Sequence, residues 1–232
     1  MPGPLQYSIW LICTLLEAGV VVCSVWRHSF RRYLTLNLYM GASCAVSIAR
    51  FAVLTSHGMS STEYIYFYYY SDALLTICLY FALMGLYSIV FEEMGAGKQL
   101  QIGSTLLLAG TALFSFGVVH QSENRMVTHY VVEMSQNLYF VGLVLTYVLW
   151  GAVLKLRESR VRVIQFVLSL GVYFSLYAAN YALHNMYPSL RLIWTLLPPI
   201  AGTLLPIAWT YAFVRFHDDE RLAPSRLALV PR

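Results

Sequence analysis

The chain has 232 residues, of which 59% are hydrophobic and only 11% are charged. Soluble domains carry about 25% charged residues, so this composition excludes an ordinary water-soluble fold and indicates that most of the surface faces lipid. The formal net charge of +4 comes from basic residues in short segments between apolar runs. Such a distribution forms no basic face, which argues against nucleic-acid binding.

Seven apolar windows follow one another along the chain. A helix needs about 20 mostly apolar residues to cross roughly 30 Å of hydrocarbon, and each window approaches or exceeds that length. We therefore predict an all-α, polytopic integral membrane protein, folded as a seven-transmembrane-helix bundle in a single domain, residues 1–228. The predicted helices lie at about residues 6–26, 34–56, 65–91, 102–119, 130–154, 163–183 and 193–216.

The two ends of the chain are interpreted separately from the bundle. The start has no basic residue before the first apolar run, unlike a secretory signal peptide, so we expect the first run to be a retained helix. The last four residues, 229–232, match the remnant that a protease leaves when it removes a purification tag, and we assign them no function. Four cysteines fall inside predicted helices, where we expect free thiols: Cys13, Cys23, Cys44 and Cys78.

The distribution of Lys and Arg predicts the orientation of the chain. The segments after the first, third and fifth predicted helices, together with the C-terminal tail, hold eleven of these residues, whereas the opposite side holds only Arg125 and Arg191. Loops rich in Lys and Arg stay in the cytoplasm. We therefore predict that the N-terminus lies outside and the C-terminus in the cytoplasm, and we expect a location in a bacterial inner membrane.

Two opposite charges are predicted to lie at the same depth on neighbouring helices. Arg50 precedes the outer end of the second predicted helix, and Asp72 follows the outer start of the third, each by about seven residues or roughly 10 Å. A charge at the bilayer centre costs about 2.5–3.5 kcal/mol, so such charges are usually paired. We predict an Arg50–Asp72 ion pair, which either locks the two helices together or forms the floor of an outward-facing cavity.

Polar and phenolic side chains recur near this pair at steps of three or four residues, the spacing of one helix face. They concentrate in the outer half of the bundle, which hydrogen bonding between membrane helices alone does not require. We predict an outward-facing, Tyr-rich pocket for a small or lipidic ligand. The predicted ligand-binding residues are Arg50, Asp72, Tyr68, Tyr69, Glu133, Asn137, Tyr173, Tyr177 and Asn180.

Two further features lie inside predicted helices. Glu17 has no obvious cation at its depth, and we expect either a neutral carboxyl that hydrogen-bonds a neighbouring helix or a carboxylate in a proton or ion pathway. The seventh predicted helix contains Pro198, Pro199 and Pro206. Proline removes a backbone donor, so we expect this helix to be kinked or locally unwound.

Cofactor chemistry has little support in the sequence. Retinal needs a Schiff-base lysine inside the bundle, but Lys98 and Lys155 lie at predicted cytoplasmic edges, so we expect no retinal. A catalytic metal site needs at least three converging ligands. The set that could supply them on the outer side is His129, Glu133, His57 and His184. No metal-binding motif contains these residues, so we expect no metal and keep the set as an alternative.

The chain resembles the small seven-helix membrane proteins of unassigned function that are abundant in acidobacteria. The resemblance is carried by four segments: the basic turn 27–33, the Tyr-rich run 66–70, the Glu92-Glu93 pair and the stretch 160–165. It implies a seven-helix bundle but no activity, so no functional residues are carried over. A more distant resemblance is to the seven-helix input modules of bacterial sensor kinases, which place a ligand-sensing bundle before an output domain.

We expect from these features a receptor-like membrane sensor or binding protein that signals through a separate partner, and we favour a non-enzyme over an enzyme. Two alternatives remain. One is a membrane-embedded, metal-dependent lipid hydrolase or transferase, which the outer histidines would support. The other is a non-catalytic subunit of a membrane complex, which would need no pocket.

Overall fold

The computed structural model describes residues 4–58, 61–92, 97–120, 126–156, 160–186, 191–217 and 220. These residues form seven helices and no β-strand, so the all-helical prediction is confirmed for this part of the chain. The helices are α1 (Pro4–Trp26), α2 (Leu34–His57), α3 (Thr62–Val90), α4 (Gly97–His120), α5 (Met126–Lys155), α6 (Val161–Met186) and α7 (Arg191–Arg215).

Each predicted window coincides with one of these helices to within a few residues. Four helical segments are long and apolar enough to cross a membrane: Leu34–His57, Thr62–Val90, Tyr130–Lys155 and Val161–Leu183. Two further segments, Trp10–Trp26 and Ile102–Gly117, are apolar but shorter over the residues described. The longest helices are α3, with 29 residues, and α5, with 30. At 1.5 Å per residue each is about 45 Å long, more than the hydrocarbon thickness.

The helices form a ring in which α1, α2, α3, α5, α6 and α7 contact one another in that order and α7 returns to α1. α3 also reaches across to α6, so these two helices are central. α4 lies outside the ring against α5 and, to a smaller extent, α3. Its side chains Leu106 and Leu113 are about 70% exposed.

The bundle has two ends, which we name after residues in their turns. The Gly58 end holds the α2–α3 turn, where Ser61 begins α3 by accepting a hydrogen bond from the Tyr64 N–H, a standard N-cap. The Ser29 end holds the α1–α2 turn and the last turn of α7. Arg27 donates a hydrogen bond to the Val214 carbonyl, and Arg162 donates to both Ser29 and the Phe216 carbonyl, so these hydrogen bonds connect the turn to the end of α7. Most of the large, fully buried apolar side chains lie between the middle of the bundle and the Ser29 end, among them Leu36, Leu83, Leu86, Phe166, Trp209 and Phe213.

A glycine on α5 and the prolines of α7 bear on how the helices pack. Gly142 on α5 faces Phe174 on α6, and a Cβ at this glycine would overlap the phenylalanine ring; the absent side chain therefore sets how closely these helices approach. α7 runs as an uninterrupted helix from Arg191 to Arg215, so the prolines do not unwind it, and the expected kink stays a prediction. A helix tolerates prolines in this way when its neighbours hold the backbone in place.

Candidate functional site

Arg50 lies near the end of α2 and reaches α3 through three contacts. Its Nε donates to Ser71 Oγ at 2.8 Å, and Nη2 donates to the Tyr68 carbonyl at 3.1 Å. The guanidinium also lies over the Tyr68 ring, 4.3 Å from the centroid, an arrangement that favours a cation. The second terminal nitrogen, Nη1, holds no hydrogen bond within the described part of the chain. Arg50 is thus anchored on one side and open on the other.

Asp72 lies one turn after Tyr68 on α3. It forms the predicted ion pair with Arg50, but the contact is long. Its Oδ1 lies 3.9 Å from Nη2 of Arg50, beyond hydrogen-bond distance. The side chains are 20% exposed for Arg50 and 28% for Asp72. No described residue donates a hydrogen bond to this carboxylate, although a carboxylate can accept about four. The pair therefore borders accessible space and is incompletely satisfied.

A cluster of tyrosines lies beside Asp72, between α5 and α6. Tyr139 stacks on Tyr177 with centroids 4.8 Å apart, and Tyr177 is 4.5 Å from Tyr173. Tyr181 continues the cluster at 5.7 Å from Tyr139. Tyr139, Tyr177 and Tyr181 all lie within the electrostatic range of the Asp72 charge. Of the predicted residues, Tyr177 is thus in the same region as the carboxylate, and Tyr173 contacts Tyr177.

The tyrosine cluster also extends to α2 and α3. Tyr173 interacts with Tyr177 and with Tyr39 on α2. Tyr139 lies near Thr76 on α3, whose own hydroxyl donates to the Asp72 carbonyl at 2.8 Å. Tyr39 also packs against Trp209 of α7, with centroids 6.1 Å apart. Five helices therefore contribute to one polar aromatic region. The sequence prediction contained Tyr173 and Tyr177 of this region but not Tyr39, Tyr139 or Trp209.

Three other predicted ligand-binding residues lie on the same helices near the Gly58 end. Tyr68 and Tyr69 are about 40% exposed and contact each other edge-to-face at 5.9 Å. Asn180 lies on α6 directly before Tyr181, and its Oδ1 is buried without a hydrogen-bond partner among the described residues. Buried polar atoms are almost always paired. Like Asp72, Asn180 is therefore an acceptor that lacks a donor.

Asn137 and Glu133 on α5 are placed differently. Asn137 donates to Ser115 Oγ of α4 at 3.0 Å and so contacts the helix outside the ring. It also lines a groove between α4 and α5 of about 500 Å³, together with apolar side chains such as Phe114 and Phe140. Glu133 is half-buried and forms no hydrogen bond or ion pair with a described residue. The structure does not bring Asn137 to Asp72.

The alternative metal ligands are only partly described. His57 is exposed at the end of α2, and Glu133 is half-buried on α5. The side chains of His129 and His184 lie outside the described residues. In the part of the chain that the structure describes, no three His, Cys, Asp or Glu side chains come together as metal ligands.

Glu17 on α1 extends the polar region of α2. Its two carboxylate oxygens accept hydrogen bonds from Ser43 at 2.6 Å and Ser47 at 3.3 Å, and the residue is only 8% exposed. Arg50 lies one turn beyond Ser47 on the same face and acts electrostatically on Glu17. The expectation of a carboxyl bonded to a neighbouring helix is confirmed. The spacing of Ser43, Ser47 and Arg50 is the sequence signal that could have linked Glu17 to Arg50.

A second arginine site, at the Ser29 end, was not recognised in the sequence. Arg162 near the start of α6 is 2% exposed. It donates to Ser29 Oγ at 2.9 Å and to the carbonyls of Phe213 and Phe216, and it lies over the Phe213 ring at 5.4 Å. Sequence reasoning counted Arg162 among the basic residues of a loop. Only its position just inside α6 distinguishes it from the exposed arginines.

Comparisons with known proteins identify no relative: no protein-family model, curated protein or solved structure matches the chain. The resemblance to acidobacterial seven-helix proteins and to sensor input modules therefore remains a prediction.

Proposed function

We propose that this chain is an integral membrane protein whose seven helices all cross the bilayer, in a bacterial inner membrane. Support comes from the four apolar helices long enough to span and from the excess of Lys and Arg in the turns of the Ser29 end. In this orientation the Gly58 end faces outward and the Ser29 end faces the cytoplasm.

The orientation is tested by thiol labelling after the four native cysteines are replaced by alanine. Ser56 is exposed at the Gly58 end and His28 is exposed at the Ser29 end, so a cysteine is introduced at each position in turn. A membrane-impermeant maleimide applied to intact cells should label Ser56→Cys, and His28→Cys should react only after the membrane is permeabilised. The reverse result would overturn the orientation, and equal labelling of both would overturn membrane insertion.

We propose further that the protein is a sensor or binding protein whose site for a small or lipidic ligand lies at the Gly58 end. The observation that carries this proposal is the Asp72 carboxylate, which is partly exposed, accepts no hydrogen bond from a described residue and lies 3.9 Å from Arg50. A charge pair that only joins two helices needs short hydrogen bonds, because desolvation of two charges outweighs a loose Coulombic contact. An open pair beside phenols is the geometry of a polar site at the edge of an apolar pocket.

The residues of the site have distinct roles in this proposal. Arg50 holds an anionic group of the ligand through its open Nη1 edge, because a guanidinium recognises carboxylate and phosphate with paired hydrogen bonds. The Tyr68 carbonyl and Ser71 keep Arg50 in place. The phenols of Tyr173, Tyr177 and their neighbours supply apolar surface. The signal passes to a separate protein partner.

Native mass spectrometry of the protein released gently from detergent tests this function, since it reports bound mass and stoichiometry together. A stoichiometric organic adduct that disappears in Arg50→Ala and persists in Arg32→Ala would support the site; Arg32 is an exposed arginine at the opposite end. An adduct retained by both variants would place the ligand elsewhere. A zinc-sized adduct would favour the hydrolase instead.

A further inference from the structure

We propose that the ligand is a zwitterion, with a primary ammonium group that contacts Asp72 and, a few bonds away, a phosphate or carboxylate group that contacts Arg50. This inference rests on the proposed function, because it names the ligand class for the same site. It also gives Asp72 a direct role in binding, beyond orienting Arg50.

The proposed site contains hydrogen-bond acceptors that lack a donor among the described residues. The Asp72 carboxylate accepts no hydrogen bond from a described residue, and Asn180 Oδ1 on the facing α6 is buried without a partner there. The contrast with Glu17 is direct, because Ser43 and Ser47 donate to both of its oxygens. An acceptor without a donor costs free energy. An ammonium group offers three donors and no acceptor, and so it supplies what Asp72 and Asn180 lack.

Several tyrosine rings lie in the region of the Asp72 carboxylate. Tyr139, Tyr177 and Tyr181 lie within the electrostatic range of the Asp72 charge, and Tyr181 lies 5.7 Å from Tyr139 between ring centroids. Tyr139 and Tyr177 are stacked on each other, but Tyr69 is exposed and Tyr181 is half-buried, which leaves part of each ring accessible. The face of a phenol ring attracts cations. A carboxylate among phenols is therefore suited to a positively charged group.

The site carries one positive and one negative side chain. Arg50 and Asp72 are one positive and one negative group 3.9 Å apart, both partly exposed. A ligand with only an anion would bring that anion towards Asp72, and a ligand with only an amine would bring its charge towards Arg50. Like charges a few ångströms apart repel each other even at the effective dielectric of a partly exposed site. A zwitterion aligned antiparallel to the pair avoids both repulsions.

The test compares zwitterions with matched singly charged molecules by isothermal titration of the purified protein. Phosphoethanolamine is compared with ethyl phosphate and ethylamine, and β-alanine with propionate and ethylamine. At least one zwitterion should bind about tenfold or more tightly than either of its single-charge analogues, the value of a charge-assisted hydrogen bond. Asp72→Asn should remove the advantage over the anion, and Arg50→Gln the advantage over the amine.

Two further variants keep the test decisive if Asp72→Asn fails to fold. Asp72→Glu retains the carboxylate and should retain the preference for the zwitterion. Asn180→Leu removes the second acceptor and should weaken zwitterion binding without changing the affinity for ethyl phosphate or propionate. If the anions bind as tightly as the zwitterions and Asn180→Leu changes neither, the inference is overturned, although the proposed site stands.

The source of the zwitterion is determined with lipid nanodiscs. In discs of phosphatidylethanolamine and phosphatidylglycerol, one retained phosphatidylethanolamine, lost in Asp72→Asn, would identify a lipid headgroup. Binding of phosphoethanolamine or β-alanine without a retained lipid would identify a free solute. If no zwitterion binds while native mass spectrometry shows another Arg50-dependent adduct, the inference fails alone. If no such adduct is present either, the proposed function fails with it.

Discussion

Two arginines at opposite ends of the bundle, Arg50 and Arg162, are held in opposite ways. Arg162 is 2% exposed and donates to a hydroxyl and to carbonyls at the end of α7. The side chain of Arg50 is 20% exposed and is anchored on one side only, with its carboxylate partner at 3.9 Å. The comparison shows that carbonyl groups at a helix end help to hold a buried cation, because the C-terminal end of a helix carries partial negative charge.

The surroundings of the two arginines differ in the same sense. Around Arg162, Tyr33 packs edge-to-face on Phe166 and Phe213, and Arg27 donates to the Val214 carbonyl. The Val161 N–H also donates to the Glu220 carbonyl beyond α7. The Ser29 end is therefore closed by contacts within the chain. The Gly58 end retains unsatisfied acceptors and exposed phenols, and it is the end suited to an external ligand.

The largest effect is expected from Arg162→Met. It leaves the α7 carbonyls and Ser29 without their donor in a closed environment, and should lower the free energy of unfolding by about 3 kcal/mol or more. The midpoint of thermal unfolding in detergent, followed with a thiol-reactive dye, measures it. Arg32→Met is the control, because Arg32 is exposed in the same region and should change stability by less than about 0.5 kcal/mol. Equal midpoints for both variants would contradict the closed-end interpretation.

Gly142→Ala should have the next largest effect, since its Cβ would overlap the Phe174 ring between the tyrosine cluster and the Ser29 end. Overpacking of this kind costs about 1–3 kcal/mol. Gly151→Ala on the same helix meets no atom within 4 Å and should be neutral or slightly stabilising, since alanine favours helix. The same unfolding assay compares the two variants. If they were equal, α5 and α6 would not be in such close contact.

Arg50→Ala is expected to separate binding from stability. It removes two hydrogen bonds to α3 and a long, partly exposed contact with Asp72, so it should lower the free energy of unfolding by about 1–2 kcal/mol, less than Arg162→Met. The Arg50-dependent adduct should nevertheless disappear from the native mass spectrum. A loss of stability as large as that of Arg162→Met, with the adduct retained, would make the pair a structural lock between α2 and α3.

The smallest effect is expected from Asn137→Leu. Its hydrogen bond to Ser115 joins α5 to the peripheral α4, and such bonds between membrane helices average about 0.6 kcal/mol. Ser115 keeps its own bond to the Thr111 carbonyl, so no buried group is left unpaired. Ligand affinity should be unchanged in the titration. A drop in affinity comparable to that of Arg50→Gln would return Asn137 to the binding site.

The seven helices and their approximate ends could be predicted because apolar length and charge distribution are local properties of the chain. The Arg50–Asp72 contact could also be predicted, since a short turn makes α2 and α3 neighbours and equal distances from that turn give equal depth. Side-chain partners within a polar stripe were less accessible to this reasoning. Tyr177 and Asn137 both fall on polar stripes, yet Tyr177 lies within the electrostatic range of Asp72 whereas Asn137 contacts α4.

The chain itself thus determined how many helices form and which residues share a face, because both follow from spacing along one segment. The packing of the ring decided the rest: that Tyr39 joins the tyrosines of α6, that Glu17 is bonded by α2, and that Arg162 is enclosed by the end of α7. These contacts join residues far apart in the chain. They depend on the rotation of each helix about its axis, which periodicity leaves open and which the packing of several helices together determines.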